Sequence, residues 1–208
     1  AAQPFRDLDD FRRRTALDKK QLAMLAEIGA LEAFTSDRRE ALWAVWRPAD
    51  GAGALALRDA NASPRFRPLD VMATVTWDYR AGHHSARGHP LEALRGQLQK
   101  LRLLDALAVG RLRDGAGAQT AGLVICRQRP GTAKGVVFMT LEDETGFVNV
   151  VVWQDTYEKF AALIKTASFL AVAGRLQQQD GVVHLVAKRF WVPAVSTRPE
   201  SGGSRDFH

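Results

Sequence analysis

An α+β architecture is expected for this 208-residue chain, a helical first half followed by a small closed barrel of five strands. Three observations predict it. Apolar residues recur at helical spacing through the first half, as in Leu22, Leu25 and Ile28 and again from Leu91 to Leu107. After Gly117 the period changes to two, with turn signals at Glu144-Thr145-Gly146 and Asp180-Gly181. One helical stretch interrupts the strands, between the third and the fourth.

Residues 1–47 read as a helix-hairpin-helix region. Phe5, Leu8 and Phe11 recur at helical spacing, and Leu42, Val45 and Trp46 form a further stripe after that of Leu22 to Ile28. Ile28-Gly29-Ala30-Leu31 is the hairpin between short helices, with glycine easing the tight turn. Thr35-Ser36-Asp37 offers oxygens to the free N–H groups of a following helix, and Asp37 with Glu40 fits a capping box. Residues 48–69, rich in Gly, Ala and Pro, read as a connector. Residues 70–116 read as a helical linker block: a short helix over 70–80, a polar turn, then one long amphipathic helix. Pro90 opens that helix, and Leu91, Leu94, Leu98, Leu101, Leu104 and Leu107 form its stripe. Residues 117–192 read as strands near 119–128, 136–142, 147–153, 169–177 and 182–191, with a helix near 155–166. That layout is an OB-fold β-barrel, a small sheet closed on itself. Residues 193–208 are polar and Gly-rich, and a flexible C-terminal tail is expected.

Composition narrows the function. Hydrophobic residues make up 46% and charged residues 25%, an ordinary globular balance. No apolar run approaches the ~20 residues a membrane-spanning helix needs, so no membrane partner is expected. Lys plus Arg exceed Asp plus Glu by 29 to 23, a formal charge of +6 that favours a polyanion partner. The lone Cys126 excludes an internal disulfide and a cysteine-built zinc site, and it fits a reducing compartment. The chain opens AAQPF, with neither a Met nor an export signal, and is expected to be cut from something longer.

Two regions carry candidate chemistry for nucleic acid. Around Gly29 stand Lys19, Lys20, Arg38 and Arg39, placed to hold a phosphate backbone without reading sequence; the alternative is a plain helical hairpin with solvated cations. In the barrel, alternation sends Val137, Met139, Leu141, Val148, Val150 and Val152 inward. It leaves Phe138, Phe147 and Trp153 on the outer face, where rings can stack on bases, with Arg127, Arg129, Lys134, Lys188 and Arg189 offering phosphate contacts. The alternative is that this face packs beneath the leucine-striped helix. Phe138 is expected to be exposed and Trp153 partly packed beside the helix that follows it.

Catalytic and metal readings find little. His83, His84 and His89 read as polar loop histidines rather than a metal site. Glu142-Asp143-Glu144 reads as a solvated turn able to pair with Lys134, without the second acidic region a two-metal site requires. No nucleophile has a paired base, and the GTAKG loop is too short for a Walker motif. No residue is therefore expected to be catalytic or to bind a metal.

Several strings carry a resemblance. PFRDLDDFRRR, DKKQLAMLAEIGALEAF, DRREALW, DYR with GHPLEALR, RQRPGTAKGVVFMTLEDETGFVNVVVW, GRLQQQDGVVHLVAKRFW and SRDFH together resemble the C-terminal part of error-prone bacterial C-family DNA polymerases, the damage-induced paralogues of the replicative alpha subunit. The resemblance implies a DNA-directed DNA polymerase, a nucleotidyltransferase of translesion synthesis, DNA repair and damage-induced mutagenesis in the bacterial cytoplasm. Its palm, with metal-binding aspartates and Mg2+, would lie upstream. This stretch would need no cofactor and would be inactive alone, its barrel facing single-stranded template. Implied partners are DNA, an inactive Y-family-like protein and a recombinase-like accessory protein of the mutasome. Clamp contact would be indirect, because ASPRFRPLD lacks the glutamine-led clamp peptide of replicative relatives. The turn before GHP also departs from the related Gly-Leu-Ser-Leu-like pattern, reading Gly82-His83-His84-Ser85. The competing function is a protein-interaction scaffold with little DNA contact.

Overall fold

The structure is a computed structural model that describes residues 4–35, 37–47, 66–82, 84–131, 135–179, 181–199 and 205–207. Most of the expected connector, His83 and Lys134 lie outside the described residues. The chain divides into two compact units, Ala1–Gly82 and His83–His208. The segment 70–116 contributes its first helix to one unit and its remainder to the other.

The first unit contains α1 (Leu8–Arg14), α2 (Lys19–Glu27), α3 (Arg38–Trp46) and α4 (Val71–Gly82). Side-chain caps start the first three. Asp7 accepts from the Asp10 amide at 2.7 Å, and Asp18 and Gln21 form a reciprocal capping box. Asp37 caps α3 as expected, but its carboxylate accepts from the Arg39 amide at 2.8 Å and also grips the Arg39 guanidinium. Leu8, Leu22, Ala26, Leu31, Ala41 and Val45 form the core, in which small alanines let the helices approach closely.

In the second unit the expected long helix is broken. A 3₁₀ turn (Glu92–Leu94) leads into α5 (Arg95–Lys100), and α6 (Ala106–Gly110) follows after a gap. Arg102 sits at φ 58, and the Leu103 amide donates back to Leu98 O, the closing bond of a Schellman turn. The reason lies in the barrel. Leu104 donates to Gln119 O at 2.8 Å and accepts from Thr120 Oγ1 at 2.7 Å, pairings that a continuous helix would forbid. Leu101 and Leu107 consequently face solvent, and the stripe is not one face.

The five strands and their helix lie close to the expected positions: β1 (Gly117–Gln128), β2 (Val137–Asp143), β3 (Gly146–Val152), α7 (Gln154–Thr166), β4 (Phe169–Gln179) and β5 (Val182–Trp191). They are ordered β2-β3-β5-β4-β1, and β1 closes the barrel by pairing with β4 through its first half and β2 through its second. Val137, Met139, Leu141, Val148, Val150 and Val152 are all buried in the barrel core, as alternation predicts. Part of the C-terminal stretch is paired. Ser196 exchanges two hydrogen bonds with the Gln97 side chain, each 2.8 Å, and Arg205–Phe207 forms a sixth strand, β6, parallel to β1.

Candidate nucleic-acid interface

The outer face of β2, β3 and β5 is the first candidate. Pairing sets Phe138 opposite Val151, Thr140 opposite Asn149 and Glu142 opposite Phe147, and β5 adds Val186 beside Val151 and His184 beside Asn149. Phe138 is 39% exposed, Phe147 62% and Trp153 55%. The rings are therefore open to solvent rather than packed beneath helices. This corrects the expectation for Trp153, which is more open than Phe138: it stands at the N-cap of α7, where the chain leaves the sheet.

The cations divide into exposed and hydrogen-bonded groups. Lys188 and Arg189 are neighbours in sequence yet both exposed, between buried Ala187 and Phe190. A β-bulge produces this. Gly174 pairs with Ala187 and Ala173 with Arg189, leaving Lys188 as the extra residue. A side chain at Gly174 would overlap the Val186 carbonyl, so glycine is what lets the strands approach at the bulge. Arg189 also lies over the Trp191 ring at 5.3 Å, and Arg129, exposed, lies over Tyr157 at 4.7 Å. Arg127 is engaged differently. Its guanidinium donates to Ile164 O at 2.6 Å and to Ala167 O, the carbonyl end of α7, where a cation complements the helix dipole.

The hairpin of the first unit is built around an arginine. Gly29 has φ 80, and a Cβ there would lie 2.8 to 2.9 Å from the Arg38 guanidinium and the Glu32 carboxylate. Arg38, expected among the phosphate contacts, is instead 3% exposed. It pairs with Asp78 at 2.5 Å and Glu32 at 3.2 Å and donates to Glu27 O. The close approach that glycine permits is thus filled from within the protein. Arg39 is held by Asp37 and lies over Phe66, and hydrogen bonding from Arg39 keeps the Asp37 carboxyl below its usual range. Lys19 and Lys20 remain exposed on the first turn of α2.

The sequence matches two family patterns, the OB-fold nucleic acid binding domain over residues 119–193 and the helix-hairpin-helix motif over 1–41. An error-prone DNA polymerase of Azoarcus sp. (strain BH72) is 41% identical over 220 residues, covering 100% of this chain and 20% of that protein. Another, from Rhodopseudomonas palustris (strain BisA53), is 44% identical over 196 residues, covering 89% and 17%. The chain belongs to the error-prone DNA polymerase family. It spans about a fifth of the length of these relatives. Among solved structures, asparaginyl-tRNA synthetase from Pyrococcus horikoshii complexed with asparaginyl-adenylate is 24% identical over 43% of this chain and 22% of that one, with a TM-score of 0.38.

The acidic triplet is not a solvated turn. Asp143 is buried. One carboxylate oxygen accepts from the Ala106 amide at 2.7 Å and from Arg95 at 3.1 Å, the other from the Thr145 amide and hydroxyl. Arg95 also grips both oxygens of Glu144. Burial alone would raise the Glu144 carboxyl, but Arg95 outweighs it and holds the group below its ordinary value. Burial raises the Glu142 carboxyl, and the Asp143 carboxylate beside it adds to the rise against the pull of His84. With the oxygens of Asp143 and Glu144 committed to protein donors, the triplet does not fit the open carboxylate set that a two-metal polymerase site uses. No group of three or more His, Cys, Asp or Glu able to hold a metal ion occurs among the described residues. His89 is likewise no solvated loop residue. It is buried, its Nδ1 accepts from the Leu91 amide at 3.0 Å, and burial pushes its pKa down to about 4 against the pull of Glu144 and Asp143. Sequence reading missed this network, since nothing local marks Arg95 as the partner of residues 48 and 49 positions away.

Proposed function

We propose that this chain is a DNA-binding portion of an error-prone DNA polymerase that holds single-stranded template across the outer face of β2, β3 and β5. One observation carries the reading: three aromatic rings open to solvent on the face opposite an aliphatic core, with two cations brought side by side by a bulge. Exposed rings serve as stacking platforms that accept any base, and the cations meet phosphates. Arg129, Lys188 and Arg189 supply those contacts, joined in sequence by Lys134, while Arg127 braces the barrel. Lys19, Lys20 and Arg39 add contacts of the first unit to a phosphate backbone. The parent would perform translesion synthesis in the bacterial cytoplasm, with Mg2+ held by a palm in another part of the polymerase. The mutasome's inactive Y-family-like and recombinase-like proteins are its proposed partners, and the clamp is reached through the former. Family membership and the partial span of the relatives support this division of labour.

The test is a titration of labelled poly-dT at several salt concentrations. Binding should weaken steeply with salt, and replacing Arg129, Lys188 and Arg189 together by Ala should lower the log–log slope by about 2, three contacts at about 0.7 each. No measurable binding near ~50 mM salt, where phosphate contacts are strong, would leave the scaffold reading in its place.

A further inference from the structure

We infer that Glu142, Phe147 and Asn149 form a guanine-reading subsite on the template face, an inference that rests on the reading above. At the β2–β3 turn the carboxylates of Asp143 and Glu144 are committed to Arg95, Ala106 and Thr145. Glu142 stands apart. Alternation along β2 places it on the outer face with Phe138 and Thr140, and no hydrogen bond or ion pair from another described residue reaches its carboxylate. It is half-buried all the same, and burial raises its carboxyl. An ionised carboxylate in that position gains from N–H donors that a ligand brings, since it can only accept. The neighbours indicate which donors. Phe147 faces Glu142 directly across the β2–β3 pair, and side chains so paired stand about 5 Å apart at Cβ. A base stacked on the exposed Phe147 ring therefore brings its edge to the carboxylate. One pair along, the Thr140 hydroxyl donates to Asn149 Oδ1 at 3.4 Å, which leaves the exposed Asn149 its amide N–H groups as donors. The face thus sets two acceptor oxygens near a donor. Among the DNA bases only guanine carries the matching edge, with N1–H and the N2 amino group side by side and O6 next to them. The Glu142 carboxylate takes the two donors as a bidentate pair, and Asn149, two residues from Phe147 on the same side of β3, donates to O6. Thymine offers the carboxylate one N–H, and cytosine one amino group.

The charge of Glu142 makes the test discriminating, because a carboxylate on a phosphate-binding face repels every strand alike unless it holds a base. Labelled strands of about twelve nucleotides, within the span of one OB-fold, would be titrated against the native chain and a Glu142→Gln variant, with a thermal melt of each protein. The strands are all-dT, alternating dT-dC, alternating dT-dG and alternating dT-dI. Inosine keeps the purine ring, N1–H and O6 but lacks the N2 amino group. The native chain should bind the dG strand about tenfold more tightly than the other three, within the discrimination that one bidentate contact gives. Glu142→Gln should erase that preference while binding all-dT at least as tightly, having lost a negative charge. Equal affinity of the native chain for all four strands overturns the guanine subsite and leaves template binding standing. A preference for dG that survives in folded Glu142→Gln, or that dI matches in the native chain, shows stacking on Phe147 alone and likewise overturns it. The dI comparison needs no variant, so it decides the matter even if Glu142→Gln fails to fold. If no strand binds, both readings fall.

Discussion

Phe138 and Trp153 separate two uses of an aromatic side chain. A core ring costs ~3–5 kcal/mol of stability when cut to alanine, whereas an exposed stacking ring costs ~1–3 kcal/mol of ligand binding. With both rings open to solvent, Phe138→Ala and Trp153→Ala should each weaken poly-dT binding by that second amount and barely move the melting temperature. A melt that collapses while binding per folded molecule holds would place the ring in a core instead. His89 bears on stability through its burial. Its pKa of about 4 lies below the ordinary 6.5, so the fold favours the neutral ring. Stability is therefore full above pH 6.5 and is lost as the pH falls from there towards 4, by on the order of 3 kcal/mol when complete. His89→Asn keeps an acceptor for the Leu91 amide and cannot take up that proton. Denaturant midpoints between pH 7 and 5 should fall for the native chain and stay nearly flat for the variant. Parallel slopes would show that another group titrates.

At the level of elements, the bulge in β5 depends on Gly174. An added methyl would meet the Val186 carbonyl and approach Ala187 Cα at 3.2 Å, both backbone and neither free to swing aside. Gly174→Ala should cost about 3 kcal/mol, the upper range for overpacking, and should weaken DNA binding by pulling Lys188 and Arg189 apart. Unfolding curves read the first effect, and a variant as stable as the native chain would mean that the bulge relaxes freely. The same bulge shows where sequence stops being legible. Strict alternation identified the barrel interior and the outer rings because period two is a local property of each strand. It could not place Lys188 and Arg189 on one side, since the extra residue is set by the approach of β4. The leucine stripe misled for a similar reason: Leu104 leaves the helix to pair with Gln119 and Thr120, a partner in another part of the chain. Arg38 looked like a surface cation because Asp78, the partner that buries it, lies forty positions on. The three residues Arg205, Asp206 and Phe207 are too few to show alternation, and β6 forms where β4 leaves an edge bare.

Across the whole molecule, carboxylates serve as ties more than as reagents. Arg38 with Asp78 joins α3 to α4 in the first unit, and Arg95 with Asp143 and Glu144 fastens the α5–α6 segment to the β2–β3 turn in the second. Removing one member of such a buried pair strands the other, at about 3–5 kcal/mol. Asp143→Asn should therefore lower stability on that scale. It should do nothing to primer extension, because the purified chain should extend no primed template with Mg2+ and all four nucleotides. Nucleotidyl transfer needs carboxylates with free oxygens around two metal ions, and those of Asp143 are taken by Arg95, Ala106 and Thr145. The surplus charge of +6 and the exposed aromatic face suit holding a strand, not reacting with it. The decisive assay runs native and Asp143→Asn chains side by side, below the melting temperature of the weaker. Extension by the native chain that survives further purification and disappears in the folded variant would make the acidic turn catalytic. Absence of extension in both, with poly-dT still bound, is the expected result.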